Sequence, residues 1–433
     1  MFGYYLQLAW HNLRRNPVLT LLMVVAIGLG VGASMTMLTV LRVMTGDPLP
    51  GRSAHLYRPY VNPLPLAMKP SAFGPDPSLA FTWPDAEALL RAHKAVRQAA
   101  MARGSVVANS SLAGVGPKSV DGSYTTRDFF SMFGVPFVAG NAWSKQDDAR
   151  AALVVVLTEK LARRLFGTTR AVGRVAQLDK HGFEVVGVVE DWHPEPFFYG
   201  GSTTARFGVA DQFFVPLSTA VNLGLRFDSM SSWGKNASMT SPTASWLQVW
   251  VQLDSAKQVA AYRRFLVNYS AQQKALGRFQ RPATDAKLYG LMQWLNHEGL
   301  VPGNVMLQTW LALSFFAVCM VNIVALLLAK FLRRSGEISV RRAMGARKRD
   351  IFAQLAVESA LIGLVGGLLG VGFAELGLWS VRHRPSDYAH LAQMSGGMLA
   401  ATVVLAIAVS ILAGLLPAWR ACRVPPALHL KTL

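Results

Sequence analysis

KFLRRSGEISVRRAMGARKRD, residues 330–350, is a short and strongly basic segment between two long apolar runs. Eight of its side chains are cationic and two are acidic. Short loops that are rich in lysine and arginine stay on the cytoplasmic side of a bilayer, because moving them across is costly. The sequence therefore predicts that this segment is cytoplasmic and sets the topology of the rest of the chain. The cationic residues are Lys330, Arg333, Arg334, Arg341, Arg342, Arg347, Lys348 and Arg349.

The middle of this segment predicts a short amphipathic helix that a soluble partner can bind. It combines apolar side chains such as Ile338 and Met344 with the charges of Arg341 and Arg342. Gly345 stands where a helix C-terminal glycine of positive φ is expected. The candidate contact residues are Glu337, Ile338, Arg341, Arg342, Ala343, Met344, Gly345, Arg349 and Asp350.

Around this segment the chain divides into four apolar runs and one large region of soluble patterning. Each run is long enough to cross a bilayer as a helix. We therefore predict an α-helical membrane protein with four transmembrane helices and a large α+β extracytoplasmic domain inserted between helices 1 and 2. The predicted ranges are a cytosolic amphipathic interfacial helix at 1–16, spans at 17–44, 304–332, 351–381 and 397–419, the outer domain at 45–303, a coupling loop at 333–350, a short periplasmic loop at 382–396 and a cytosolic tail at 420–433.

The distribution of basic residues predicts the orientation of these spans. The N-terminus, the 330–350 segment and the C-terminal tail carry thirteen Lys and Arg, whereas the 382–396 loop carries two. Both termini are therefore expected in the cytoplasm and the large domain outside. A cleaved signal peptide is the rival interpretation of the first run, but the apolar regions of such peptides have only about 7–15 residues.

Composition supports the same class of protein. The chain has 433 residues, of which 52% are hydrophobic, and a net charge of +19. In a protein with membrane spans, this charge is better explained by cytoplasmic anchors and lipid headgroup contacts than by nucleic-acid binding, so lipids and not nucleic acids are the expected partners. Two cysteines exclude a disulfide framework.

Small and acidic residues within the spans are candidates for helix packing. Glycines four residues apart allow close approach of two helices. Glu358 and Glu375 lie in the third run, where helix pairing or headgroup contact is favoured over a role in proton-coupled transport. The packing candidates are Gly28, Gly32, Gly363, Gly366, Gly367 and Gly370.

The outer region predicts an α+β fold and no catalytic site. Helices are expected at 83–98, 158–166 and 255–276, strands at 153–157, 174–178, 183–189 and 245–253, and a long loop or insertion at 200–245. Trp246, Trp250, Phe213 and Phe214 are predicted to be core residues, with a substrate path as the alternative. A metal site is disfavoured because adjacent strand residues point to opposite faces. Its candidates were His181, Glu190, Asp191, His193 and Glu195.

Two stretches carry a family resemblance. Residues 336–372, GEISVRRAMGARKRDIFAQLAVESALIGLVGGLLGVG, resemble the C-terminal module of the FtsX-like permeases, which are ABC transporters of the mechanotransmission type. Residues 125–167, TTRDFFSMFGVPFVAGNAWSKQDDARAALVVVLTEKLARRLFG, and residues 174–194, RVAQLDKHGFEVVGVVEDWHP, resemble the MacB-type periplasmic core domain. The resemblance implies a dimer of permeases, homomeric or formed with a paralogue, in a bacterial inner membrane.

The resemblance also implies that residues 330–350 contain a coupling helix that seats in a groove of a cytosolic ATPase. MacB carries its ATPase on the same chain, but here no Gly-x-x-x-x-Gly-Lys-Ser/Thr loop occurs, and its nearest counterpart at 114–119 has Pro117 before the lysine. We therefore expect a non-catalytic subunit that binds no cofactor itself, with ATP and Mg²⁺ bound by a separate ATPase.

The leading functional hypothesis is the permease subunit of a MacB-like exporter, with a periplasmic adaptor and an outer-membrane channel as further possible partners. One alternative is an FtsX-like signalling or activator protein that controls a cell-wall hydrolase or senses antimicrobial peptides. The other alternative is a lipoprotein-releasing permease.

Overall fold

The structure, a computed structural model, describes residues 7–9, 11, 13–14, 16–68, 80–199, 206–235, 237–301, 303–334, 336–337, 340–341, 344–383 and 389–423. The chain forms two compact units. Residues 1–45 and 301–433 form the membrane unit, and residues 46–300 form the outer unit. In chain order, the helices are α1 (Pro17–Met44), α2 (Trp83–Ala92), α3 (Asp128–Phe133), α4 (Lys145–Ala149), α5 (Glu159–Phe166), α6 (Leu217–Leu223), α7 (Ala256–Ala275), α8 (Leu291–His297), α9 (Gly303–Arg333), α10 (Lys348–Arg382) and α11 (Gly396–Arg423).

Four helices of the membrane unit are long and apolar enough to cross a bilayer, namely α1, α9, α10 and α11. The prediction of four spans with a large domain between the first and second is therefore confirmed. Pro17 occupies the first turn of α1, where its missing N–H costs no hydrogen bond. Three of these helices, α9, α10 and α11, extend beyond the predicted ranges, and α10 alone has 35 residues, whereas α1 has the predicted bounds.

Glycines on both α1 and α10 bring these two helices close together. A Cβ atom at Gly32 would lie 2.7 Å from Phe373 Cβ, and one at Gly366 would lie 2.7 Å from Ile27. At Gly28 and Gly370 the nearest atoms would be 3.1 Å and 3.3 Å away. Such close approach stabilises helix association through van der Waals contacts in a lipid environment.

An adjacent face of α10 packs on α11 through two further glycines. A Cβ atom at Gly363 would lie 2.7 Å from Ser410 Cβ, and one at Gly367 would lie 2.9 Å from Ala406 Cβ. The Ser410 hydroxyl donates a 2.7 Å hydrogen bond to the carbonyl of Ser359. The six predicted packing glycines therefore lie where α10 packs on α1 and on α11.

The outer unit is built on one mixed sheet of twelve strands, most of whose neighbours are antiparallel. The strands are β1 (Leu56–Tyr60), β2 (Phe81–Thr82), β3 (Arg97–Asn109), β4 (Lys118–Thr125), β5 (Phe137–Gly140), β6 (Val154–Thr158), β7 (Val175–Leu178), β8 (His181–Val189), β9 (Phe213–Pro216), β10 (Ser231–Ser232), β11 (Ala244–Gln252) and β12 (Lys287–Gly290).

The main path of the sheet runs β12-β1-β11-β3-β4-β9-β6-β8-β5, and two of its pairs, β4 with β9 and β6 with β8, are parallel. At one edge, β1 lies antiparallel to β12, with Tyr57 opposite Gly290. Trp246, Trp250, Phe213 and Phe214 are all buried in the outer unit, as predicted for core residues.

Two predictions for the outer unit are wrong. The helix expected at 83–98 ends at Ala92, because His93 adopts a φ of +46° and β3 begins at Arg97. The loop expected at 200–245 contains β9 in the interior of the sheet, and α6 follows it. All four residues of β9 are buried, so the strand lacks the alternation by which a half-exposed strand is recognised.

Some predicted segments fall largely on residues outside those described. Of the interfacial helix expected at 1–16, residues 7–9, 11, 13 and 14 are helical. The predicted tail is described only as far as Arg423, which ends α11.

Candidate functional site

The basic segment joins α9 to α10, and three pairs of polar residues with helical spacing lie at this junction. Lys330 and Arg334 are four residues apart, as are Glu337 and Arg341, and Gln354 and Glu358. Residues four apart lie on the same face of a helix. Each pair can therefore present two polar groups to its neighbours. We call these six residues the ion-pair network.

Glu358 is the buried centre of the ion-pair network. It lies on α10, and its side chain is 0% exposed. Lys330 Nζ lies 2.6 Å from Glu358 Oε1, and the Lys330 side chain is only 1% exposed. Arg334 Nη1 donates a 3.1 Å hydrogen bond to Glu358 Oε2. A charge removed from water in this way is tolerated only when it is paired, so these contacts hold the end of α9 against α10.

The network continues from Arg334 into the basic segment and back to α10. Arg334 Nη2 lies 3.2 Å from Glu337 Oε2, and Arg341 Nη2 lies 2.7 Å from Glu337 Oε1. Arg341 Nη1 then donates a 3.2 Å hydrogen bond to Gln354 Oε1. The segment is thus tied to α9 through Arg334 and to α10 through Gln354.

The other predicted contact residues that the structure describes are exposed. Met344 is 76% exposed. Arg349 and Asp350, in the first turn of α10, are also exposed. Gly345 has a φ of +99°, and the amide of Ala346 donates a 3.1 Å hydrogen bond to the carbonyl of Arg341. This six-to-one hydrogen bond around a glycine of positive φ is a helix-terminating arrangement, and it leaves Met344 beside a sharp turn.

The structure brings together a different set of residues from the set predicted. Glu337 and Arg341 belong to the ion-pair network, whereas Ile338, Arg342 and Ala343 lie outside the described residues. Sequence reasoning did not place Lys330, Arg334, Gln354 and Glu358 in the site. The available signal was the spacing of four within each pair, together with an acid in an apolar run close to a basic segment.

Glu375, the second acid of α10, lies near the other end of that helix. Arg382 Nη2 is 2.6 Å from Glu375 Oε1, and Arg382 Nη1 donates a 2.8 Å hydrogen bond to the carbonyl of Ala392. Half of the Glu375 side chain is exposed. Arg382 is one of the two basic residues of the loop predicted at 382–396, and the other, Arg384, lies outside the described residues.

Two of the candidate metal ligands, Asp191 and Glu195, accept hydrogen bonds from backbone amides instead. Asp191 Oδ1 accepts a 3.1 Å hydrogen bond from the amide of Lys160, and Glu195 Oε1 accepts one of 3.2 Å from the amide of Gly208. Within the described ranges, no group of three His, Cys, Asp or Glu side chains is arranged to hold a metal ion.

Comparison with known families gives two matches that together cover most of the chain. The profile of the MacB-like periplasmic core domain matches residues 20–268. The profile of the FtsX-like permease C-terminal module matches residues 310–426. The second match contains the whole basic segment and the ion-pair network.

Curated relatives are described as ATP-binding/permease proteins. The macrolide export protein MacB of Bdellovibrio bacteriovorus is 28% identical over 246 residues, which are 55% of this chain and 34% of the relative. The MacB 1/2 protein of Paracoccus denitrificans is 26% identical over 77% of this chain and 43% of the relative. A probable syringafactin export protein of Pseudomonas syringae pv. tomato is 26% identical over 69% of this chain and 40% of the relative. The chain thus spans less than half the length of these relatives.

Among solved structures, the periplasmic region of MacB from Actinobacillus actinomycetemcomitans is similar to 60% of this chain. The match covers 99% of that structure, with 15% identity and a TM-score of 0.38.

Proposed function

Because the chain belongs to the family of MacB-like ABC transporter permeases, with an FtsX-like C-terminal module, we propose that it couples ATP hydrolysis by a separate ATPase chain to movement of its outer domain. The movement drives export of a substrate from the periplasm or the inner membrane. The permease is non-catalytic in this proposal, and the partner ATPase binds ATP and Mg²⁺. The absence of a phosphate-binding Gly-x-x-x-x-Gly-Lys-Ser/Thr motif from these 433 residues supports that division of roles.

The observation that carries the proposal is the ion-pair network. The basic segment is bonded to Arg334 at the end of α9 and to Gln354 near the start of α10. A force applied to the exposed side of the segment therefore acts on two membrane helices at once. Because Glu358 is buried with two cations, the junction resists deformation and passes the displacement along α9 and α10.

We place the basic segment and both termini in the cytoplasm and the outer unit in the periplasm. The charge asymmetry of the loops supports this orientation. A second permease, identical or paralogous, completes the transporter, and a periplasmic adaptor and an outer-membrane channel extend it to the cell surface.

Met344 tests binding of the ATPase. Its apolar side chain is 76% exposed on a basic surface, which fits an apolar anchor in an acidic groove. We expect Met344→Asp to reduce recovery of a co-expressed partner ABC ATPase with this chain by at least about tenfold, because an interface anchor contributes about 2 kcal/mol or more. Leu276→Asp is the matched control, since Leu276 is 70% exposed in the outer unit. Unchanged ATPase recovery with Met344→Asp, or an equal loss with the control, would contradict the proposal.

Replacement of Glu337 and Arg341 tests whether the basic segment transmits movement, separately from whether it binds the ATPase. The double variant Glu337→Ala/Arg341→Ala removes the links from the segment to both helices. We expect the ATPase to bind and hydrolyse ATP, while the ATP-dependent change in distance between spin labels on the two outer domains is lost. If the distance still changes on addition of ATP, the network does not transmit movement.

A further inference from the structure

The outer unit contains an open cleft of about 910 Å³ whose walls are basic. Four of its lining residues carry positive charge and one, Asp128, is acidic. Its volume lies within the range of about 300–1,000 Å³ that is typical of small-molecule sites. We call it the basic cleft, and its cationic residues are Arg52, Arg97, Arg127 and Lys145.

The cations of the basic cleft form no ion pair with the rest of the described chain, although the Arg127 guanidinium attracts the Asp148 carboxylate over a longer distance. Within that part of the molecule, none of the four cations has a carboxylate oxygen within 4.0 Å. Arg103, in contrast, is buried with its Nε 3.0 Å from Asp211 Oδ1. The cations of the cleft are therefore available to an external anion, whereas Arg103 is already paired.

Two of the arginines are held in place by neutral groups. Arg52 Nη1 donates a 3.2 Å hydrogen bond to the carbonyl of Ser131, and Arg97 Nη1 donates one of 3.0 Å to Gln252 Oε1. Gly134 has a φ of +72°, and a Cβ atom there would lie 2.5 Å from Arg52 Nε. The missing side chain of Gly134 thus allows the Arg52 guanidinium to lie directly on the backbone. Such preorganisation lowers the entropy cost of binding a ligand.

The basic cleft also has apolar lining, from Val96, Phe130, Val135 and Phe137. Phe130 is itself packed in the core, with its ring centroid 5.1 Å from that of Trp143 and 5.2 Å from that of Phe137. Rigid aromatic walls beside unpaired cations suit a ligand that has both an apolar body and a negative charge.

We propose that the basic cleft binds an amphiphilic anion, in which an apolar group carries phosphate, sulfate or carboxylate. The cations bind the anionic group, and the accessible side chains of Val96 and Phe137 contact the apolar body. The site lies wholly within the outer unit, so its occupancy can be measured without the ATPase or the export reaction.

Equilibrium dialysis of the full chain in a non-ionic detergent, with fluorescent 1-naphthyl phosphate as the probe, tests this proposal. We expect saturable binding of the probe, and weaker binding of the neutral 1-naphthol and of inorganic phosphate. Arg127→Gln/Lys145→Gln should weaken binding of 1-naphthyl phosphate by about tenfold or more, because charge-assisted hydrogen bonds are the strong ones. Neither side chain is buried, so the double variant should unfold at the temperature of the unmodified protein.

Arg263→Gln/Arg264→Gln is the matched control. Both arginines are exposed on α7, outside the basic cleft, and their loss lowers the net charge by the same two units. Binding that falls equally in both double variants would show general attraction to a cationic protein and would overturn the proposal. Binding that is unchanged by Arg127→Gln/Lys145→Gln would overturn it as well.

Competition by lipid nanodiscs distinguishes a lipid headgroup from a soluble amphiphile as the source of the anion. If phosphatidylglycerol competes with 1-naphthyl phosphate and phosphatidylcholine does not, the natural ligand is an anionic lipid headgroup. If neither lipid competes and the dependence on Arg127 and Lys145 remains, the ligand is a soluble amphiphile.

Discussion

Replacement of Glu358 by glutamine should destabilise the membrane unit far more than the same replacement at another acid of α10. Glu358→Gln removes the negative charge that lies 2.6 Å from Lys330 Nζ and 3.1 Å from Arg334 Nη1. The Lys330 side chain, 1% exposed, would then carry an unpaired buried charge. The variant is nearly isosteric, so the loss reports the charge and not a change in volume.

The expected magnitude follows from burial. Coulomb's law with an effective dielectric constant of about 20 gives an attraction of about 6 kcal/mol at this distance, before the cost of desolvating both ions. Removing one partner of a buried pair costs about 3–5 kcal/mol. We expect a loss in that range for Glu358→Gln. The double variant Lys330→Met/Glu358→Gln should recover about 2 kcal/mol or more, because its buried ammonium is gone.

Glu375→Gln is the control on the same helix. Glu375 also has a cation at 2.6 Å, but it is 51% exposed, and surface pairs contribute only about 0–1 kcal/mol. Reversible unfolding in mixed micelles of sodium dodecyl sulfate and dodecyl maltoside, followed by circular dichroism, measures all four proteins. Equal stabilities of Glu358→Gln and Glu375→Gln, or no recovery in the double variant, would refute the reasoning.

Three further predictions concern packing and pH. Gly104→Ala should lower the stability of the outer unit by about 1–3 kcal/mol in thermal unfolding, because the added Cβ would overlap the carbonyl oxygen of Arg226. Gly116→Ala is the control and should leave the stability unchanged, because no atom would lie within 4 Å of its Cβ. Gly32→Ala should lower the unfolding temperature of the membrane unit, and Gly372→Ala, also without a neighbour within 4 Å, should leave it unchanged. Burial raises the pKa of Asp148 to about 6, above the 3.8 of an ordinary aspartate, so folding favours the protonated carboxyl group. The stability that this group contributes to the outer unit is therefore fully present below about pH 4 and is lost as the pH rises through 6. Asp148→Asn should remove at most about 3 kcal/mol of this pH dependence. If the stability of the variant changes with pH between 4 and 7 as steeply as that of the unmodified protein, another group titrates.

The membrane unit could be predicted in most of its features because the bilayer restricts its alternatives. A run of some two dozen apolar residues forms a spanning helix in lipid, because only a helix satisfies all of its backbone hydrogen bonds within the segment. Glycines four apart, such as Gly28 and Gly32, indicate a packing face without specifying the partner. The structure supplies that partner, α10, whose Leu369 and Phe373 lie against these two glycines.

The ion-pair network and β9 could not be predicted in the same way, because both are tertiary features. Glu358 meets Lys330 only after α9 and α10 have packed, and local periodicity contains no such distance. The four residues of β9 are a strand only because β4 and β6 lie on either side of them. Propensity and patterning describe neighbours along the chain, whereas these features depend on neighbours in space.

The pairing of β1 with β12 has a consequence for the evolution of the family. In chain order, β1 and β12 are the first and last strands of the outer unit, and they are adjacent, with Tyr57 opposite Gly290, so the two ends of this unit lie close together. Domains with neighbouring ends are readily inserted into, or excised from, a host protein. Replacement of residues 46–300 by recombination would therefore require only two neighbouring junctions and would leave the four membrane helices intact.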